Sequence, residues 1–267
     1  MKRIPTPSKR QPPSKRPSKQ PGKRSGKHSG SSIAKLAGIV VSTLMLFGLI
    51  FPSGSLQEKN GLIARQAQPQ EFQIARVQYR GGGDWYNSPT ALTNLLRFAK
   101  QEIPVSVSTR YNDVQLGSRE IFNYPFLYLT GHGNIAINDS EMENLRRYLE
   151  QGGFLYVDDD YGMDPYVRPL LREIFPEEPF IELPADHPIY TIVYPFPAGR
   201  PPKVHEHDGK PPQAFGVYRN GRMVLLYTYE SNPADGWAYD EHANSQRVID
   251  QALKFGVNLL TYVLMMP

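Results

Sequence analysis

Two short, nearly unbroken apolar runs constrain this chain most: residues 125–131 (PFLYLTG) and 153–159 (GFLYVDD). Runs this short and this apolar read as strands covered on both faces, as in a parallel sheet. Between them Asn138 is followed three residues later by Glu141, a capping box, and Gly152 stands where a left-handed helix stop belongs. The segment therefore predicts strand, helix 139–151, strand.

The flanking sequence extends the pattern. FQIARVQY at 72–79 alternates like a strand, and GGGDW at 81–85 is a loop needing glycine torsions. Ser88 and Pro89 predict the N-cap and first residue of a helix running to about Lys100, with Leu92, Leu95, Leu96 and Ala99 on one face. VSVST at 105–109 predicts a short strand, and Asp164-Pro165 a capped helix to about Phe175. The order β-α-β-β-α-β-α predicts a mostly parallel sheet with helices on both faces. Residues 176–214 carry ten prolines and predict a long irregular excursion with one strand near 189–194. Asn220-Gly221 predicts a type I′ turn inside a hairpin over 215–229. A last helix, about 243–264, turns Ile249, Leu253, Val257, Leu260 and Leu264 inward.

The 267 residues suffice for one large domain or two small ones. The net charge of +4 hides a split: residues 1–35 hold 11 Lys or Arg and no acid, leaving 19 basic against 26 acidic residues beyond. The basic character belongs to the tail, so no specific nucleic-acid partner is expected of the folded part. Residues 1–32 repeat Pro-Ser-Lys-Arg and predict a disordered tail. Residues 33–52 hold an apolar segment whose charge-free part, 36–51, would span roughly 24 Å as a helix against a ~30 Å hydrocarbon core. It reads as a transmembrane signal anchor or as a cleaved signal peptide using Ser53-Gly54-Ser55. A buried core helix is the third reading, disfavoured by the absence of a polar face. The charge asymmetry keeps the tail cytoplasmic and sends the rest outside. Residues 53–71 read as a linker and 72–267 as one α/β domain. The expected location is the cell membrane, single-pass, or the periplasm or exterior after cleavage.

Several blocks carry a family resemblance: Phe72-x-x-Ala75-Arg76 with Gly82-Gly83-Asp84-Trp85; residues 124–133 (YPFLYLTGHG); residues 145–149 (LRRYL) leading to Gly152-Gly153-Phe154-Leu155 and Asp158-Asp159; Asp186-His187-Pro188-Ile189-Tyr190; and Gly256-Val257-Asn258. In these the chain resembles the bacterial family known as domain of unknown function 4159, over about 72–267. That family looks like a branch of the class I glutamine amidotransferase-like fold. The resemblance implies a flavodoxin-like three-layer α/β domain and carries over no catalytic residue. Class I amidotransferases place a Cys at the elbow after a central strand; here Asp158 or Asp159 takes that position. With no cysteine in the chain, thiol-based glutamine hydrolysis is excluded.

Ligands of such sheets bind beyond the carboxyl ends of the strands. The expected candidates there are Asp84, His132, Asp158 and Asp159 for catalysis. Three successive carboxylates repel one another, so a metal, an acid/base pair or a helix start must relieve them. Gly131, Gly133, Trp85, Tyr161, Asp235 and Trp237 are candidate binding residues, the aromatics suiting either sugar stacking or loop packing. His205 and His207 alternate on an extended chain and are candidate ligands of a divalent metal, or members of a polar loop. His187 reads as a loop anchor. The expected function is a membrane-tethered extracytoplasmic domain binding a small ligand or an envelope protein without catalysis; the alternative is a metal- or carboxylate-dependent hydrolase of carbohydrate or envelope material. A cytoplasmic nucleic-acid binder acting through the tail is the third.

Overall fold

The computed structural model describes residues 71–205 and 207–265, all within the second of two compact units into which the chain divides. The tail, the apolar segment and the linker up to residue 70 lie outside the described residues.

Seven strands form one sheet: β1 (Ile74–Gln78), β2 (Asn112–Gln115), β3 (Phe126–His132), β4 (Phe154–Tyr161), β5 (Ile181–Glu182), β6 (Gln213–Arg219) and β7 (Arg222–Tyr229). Their order is β2-β1-β3-β4-β7-β6-β5. The first five in that order are parallel; β6 runs antiparallel to β7, and β5 to β6. The helices are α1 (Ala91–Glu102), α2 (Asp139–Glu150), α3 (Asp164–Ile174), α4 (Pro233–Trp237) and α5 (Gln246–Met265).

The central strands explain the layering. Phe126 and Tyr128 of β3 and Phe154 and Tyr156 of β4 join one core with α1, α4 and α5. The alternate residues Leu127, Leu129, Leu155 and Val157 join the other core with α2 and α3. Period-two alternation thus sends aromatics to one face and aliphatics to the other, and helices cover both. The α2 capping box forms as expected, with Asn138 Oδ1 accepting from Glu141 N and Glu141 Oε2 from Asn138 N. Asn220 and Gly221 both take positive φ, 53° and 80°, as a type I′ hairpin requires.

α5 is long and apolar enough to cross a membrane. Ten of its residues are buried, from Ala252 to Tyr262, and they share a core with α1 and α4. It is the core helix of this domain.

Four expectations are corrected. Ser88 does not cap α1: it sits at φ 48°, and the helix begins at Ala91 after Thr90. Asp164 is the first residue of α3, not its cap; the Asp159 carboxylate instead accepts from the Met163 and Asp164 amides. Residues 105–109 give one bridge, Val107 to Phe72, and the edge strand is β2, where only Val114 is buried. Residues 189–194 form no strand. A 3-10 turn, Pro188–Tyr190, stands there, because Asn258 of α5 supplies the backbone partners a sheet would: its Oδ1 accepts from Tyr194 N and its Nδ2 donates to Ile189 O and Tyr194 O, all at 2.8 Å.

Candidate functional site

The chain leaves β1 to one side for β2 and returns past β1 to β3, so the direction of winding reverses between β1 and β3. At such a switch point the loops after the two strands diverge and open a crevice at their carboxyl ends. Asp84 follows β1 there and His132 ends β3. Gly83 and Gly131 let the two backbones touch: a Cβ on Gly83 would stand 2.6 Å from His132 O, and one on Gly131 2.2 Å from the Tyr79 hydroxyl. Asp84 grips His132 twice. Its Oδ1 accepts from His132 N at 2.6 Å, and its carboxylate faces Nδ1 at 3.0 and 3.1 Å. An ionised carboxylate only accepts, so Nδ1 carries a hydrogen toward Asp84. The His132 side chain is 46% exposed.

Asp158, Asp159 and Asp160 sit within β4 rather than after it, and each does something different. The strand runs on to Tyr161, so no elbow forms at Asp158 or Asp159. Asp158 is fully buried: Oδ1 accepts from Thr228 Oγ1 (2.6 Å) and Oδ2 from Ala234 N (2.9 Å), which fastens the start of α4. Burial pushes its carboxyl up to about 8, against the pull of those two donors. Asp159 caps α3 and accepts from Tyr227 OH at 3.1 Å; burial raises it to about 6. Both carboxylates thus hold the start of a helix in place, and Asp159 also lines a cleft.

Asp160, which the sequence reading left out of its catalytic set, is the one that faces His132. The β3–β4 register slips between Gly131 and His132, so His132 pairs with Tyr161 and Asp160 has no partner across the ladder. A bulge of this kind re-aims a side chain. Asp160 is 3% exposed, its Oδ1 accepts from Asn232 Nδ2 at 2.7 Å, and its Oδ2 faces His132 Nδ1 at 3.5 Å. Burial pushes its carboxyl up, and Asp235 adds to the rise.

Asp235 organises the far side. Its Oδ2 lies 2.5 Å from His205 Nδ1, and its Oδ1 lies 3.3 Å from His242 Nε2 and 3.4 Å from Ser88 Oγ. His207 arrives separately: its Nε2 is 3.3 Å from Asn232 Nδ2, and its ring packs 4.3 Å from Tyr161, which is 52% exposed. Glu230 holds this loop by accepting from the His207 and Asp208 amides at 3.0 and 2.7 Å. Ser88, Glu230 and Asn232 all have φ near +50°. Three residues without glycine's freedom, held left-handed around one cluster, mark backbone strain gathered at a site.

The remaining candidates divide. Gly131 and Gly133 shape the backbone, Gly133 N donating to Tyr161 O at 2.9 Å. Trp85 is half-buried under the Arg76 guanidinium, 5.2 Å from its ring centroid. Trp237 is fully buried, donates from Nε1 to Ala252 O, and packs against Tyr128 and Tyr156, so it presents no face to a ligand. His187 anchors its loop, accepting from Ile189 N and meeting Tyr218 OH. Among the described residues no three His, Asp or Glu side chains stand close enough together to hold a metal ion as they are placed. The sequence reading missed Asp160, Asn232, Glu230, Ser88 and His242 as members of the cluster. Asp160's place in the acidic run was the available signal; nothing local distinguished the other four.

Fold and site together define a mixed α/β domain with a strained carboxylate–histidine cluster at the carboxyl ends of its parallel strands. A family model matches residues 73–264, and the chain belongs to that family, described as a domain of unknown function (DUF4159). A search of curated proteins found no match.

Proposed function

We propose that the domain is an acid–base hydrolase working outside the cytoplasm, with water as nucleophile. The observation that carries this is the two-point grip of Asp84 on His132, which fixes the ring of a side chain that is 46% exposed and leaves Nε2 to take a proton. In the reaction, Nε2 accepts a proton from water as the water oxygen bonds to the electrophilic centre. The same proton passes to the leaving group as its bond breaks. Asp84 holds the tautomer and stabilises the imidazolium between the two transfers. The chain has no cysteine and the Ser88 hydroxyl is buried, so neither a thiol nor Ser88 competes with water as nucleophile.

The strand order β2-β1-β3-β4-β7 matches that of flavodoxin-like sheets, which supports the flavodoxin-like and amidotransferase-like reading of the fold. The exported location rests on the charge split around residues 36–51, and carbohydrate or envelope material is the substrate class that location offers. A reporter fused after residue 60 that stays active only in the cytoplasm would refute export.

Full-length protein in mild detergent, assayed on chromogenic esters, amides and glycosides and on isolated envelope glycans, tests the reaction. Turnover that disappears in His132→Ala and falls in Asp84→Asn supports it. The second reading, a binding domain without turnover, is favoured by the same lack of a thiol nucleophile. It prevails if a glycan or envelope protein is retained by the wild type, lost by both variants and never chemically changed.

A further inference from the structure

His132 Nδ1 lies between two carboxylates and has one hydrogen to give. Asp84 takes it, at 3.0 and 3.1 Å, and Asp160 Oδ2 stands 3.5 Å away without it. That oxygen is buried and has no hydrogen-bond partner. The two carboxylates also differ in their surroundings: the side chain of Asp84 is 33% exposed and that of Asp160 4%. Water screens the first far more than the second, so a charge on Asp160 acts on the ring through a lower dielectric. Two irregular features put it there. The slip between Gly131 and His132 turns the side chain, and Asn232, buried and left-handed at φ 50°, holds Oδ1 at 2.7 Å. A buried oxygen with nothing to accept, set beside an imidazole, is matched by a positive charge on that imidazole.

We propose that Asp160 is a positioning residue for His132: it holds the charged imidazole that forms when Nε2 takes a proton, as a second, buried counter-charge beside Asp84. The inference rests on the acid–base reading of His132 given above and adds a partner to it. Asp160 is buried and acts through the ring, not on a substrate. Each charge favours the other, so the two groups titrate as a linked pair. An ionised Asp160 raises the proton affinity of the ring, and a protonated His132 helps Asp160 to lose its proton. The acids around the pair work against that ionisation. Asp235 of α4, Asp84 after β1 and Asp159 on the same strand all push the Asp160 carboxyl up, as burial does, and His132 pulls it down. His205 and His242 lie against Asp235 at 2.5 and 3.3 Å, and His207 against Asn232 at 3.3 Å. Tyr79, whose hydroxyl donates to Thr130 O, stays neutral because burial holds its proton.

The test follows proton binding by NMR in full-length protein in mild detergent, labelled at histidine and aspartate. His132 is assigned among the six histidines by the signal that His132→Gln removes. Asp160→Asn keeps the shape and removes the charge. In it the His132 ring should bind its proton with about tenfold or more lower affinity, so its midpoint moves to lower pH. The reciprocal measurement keeps the test open if that variant folds poorly. In His132→Gln the Asp160 carboxyl, read from its ¹³C shift, should hold its proton more tightly by the same factor. An unchanged His132 midpoint in folded Asp160→Asn overturns the proposal even if the melting temperature falls, because Asp160 is then only structural. An Asp160 carboxyl that His132→Gln leaves unmoved overturns it too. Neither measurement needs a substrate. Absent turnover removes the hydrolase and leaves the linkage standing, whereas turnover with unmoved midpoints removes the linkage alone.

Discussion

The two ends of the sheet differ in kind. At the amino ends of β1, β3 and β4 lies a cleft of about 490 Å³, lined by Phe72, Val105, Phe122, Tyr124, Tyr148 and Leu264 among others. It is roomy and mainly apolar. At the carboxyl ends, beside Tyr161, His207, Lys210 and Glu230, a cleft of about 220 Å³ opens next to the strained cluster. The larger cavity has Glu71, Gln73, Asn123 and Gln151 among its lining; the smaller one is lined by Asp159, Asp164, Asp208 and His207. Size marks where side chains failed to fill space. Buried polar groups, positive φ and raised carboxyls mark where the fold bears a cost that packing does not require.

The largest effect expected on this contrast comes from His132→Ala. It should lower turnover about 10²–10⁴-fold, the usual weight of a general base, with little change in unfolding free energy. Paired turnover and denaturant measurements check it, and an equal loss of stability would make His132 structural. At the opposite end Tyr148→Ala should do the reverse. Tyr148 is buried, donates to Tyr124 O and Phe154 O, and lies flat against Gly153. Its loss should cost about 3–5 kcal/mol of stability, as for other buried aromatics, while turnover per folded molecule stays the same. A change in turnover would couple the two ends and break the comparison.

Asp158→Ala sharpens it from within β4. The substitution strands the Ala234 amide, takes one partner from the Thr228 hydroxyl and should cost about 1–3 kcal/mol in denaturant unfolding. If unfolding is unaffected, Asp158 is not the anchor of α4 described above.

The smallest effect belongs to His187, away from both clefts. Burial holds its imidazole below the usual 6.5, against the opposing pull of Asp186; Tyr218, Tyr190 and Tyr262 surround the ring. The folded state then binds fewer protons than the unfolded one. Stability should be intact above pH 6.5 and fall as pH drops through the lowered folded value. Melting temperature against pH should show this decline in the wild type, and it should flatten in His187→Gln. An identical decline in the variant would assign it to other groups.

Much of the fold was legible because it rests on local pattern. Uninterrupted apolar runs gave β3 and β4, the Asn138–Glu141 box gave α2, and Asn220-Gly221 gave the β6–β7 hairpin. These signals act within a few residues. The failures share a cause. β2 was overlooked because an edge strand of sequence NDVQ buries one side chain and has no pattern to read. Residues 189–194 look like a strand in composition, and only Asn258, far along the chain, gives their backbone a different partner. Ser88 looks like a helix cap until Asp235 and His242 claim its hydroxyl.

The same division runs through the site. By itself the sequence determined that no thiol chemistry occurs and that acids and histidines gather toward the carboxyl ends of the strands. It could not apportion the run Asp158-Asp159-Asp160. In a strand, alternate side chains leave on opposite faces, and which face meets a helix start or a crevice depends on what packs there. The tertiary structure gave Asp158 to α4 and Asp159 to α3, and a one-residue bulge turned Asp160 toward His132. It also brought Asn232, Asp235 and His207 to one point, because contacts between residues tens of positions apart are decided by packing and register, which no short stretch of sequence encodes.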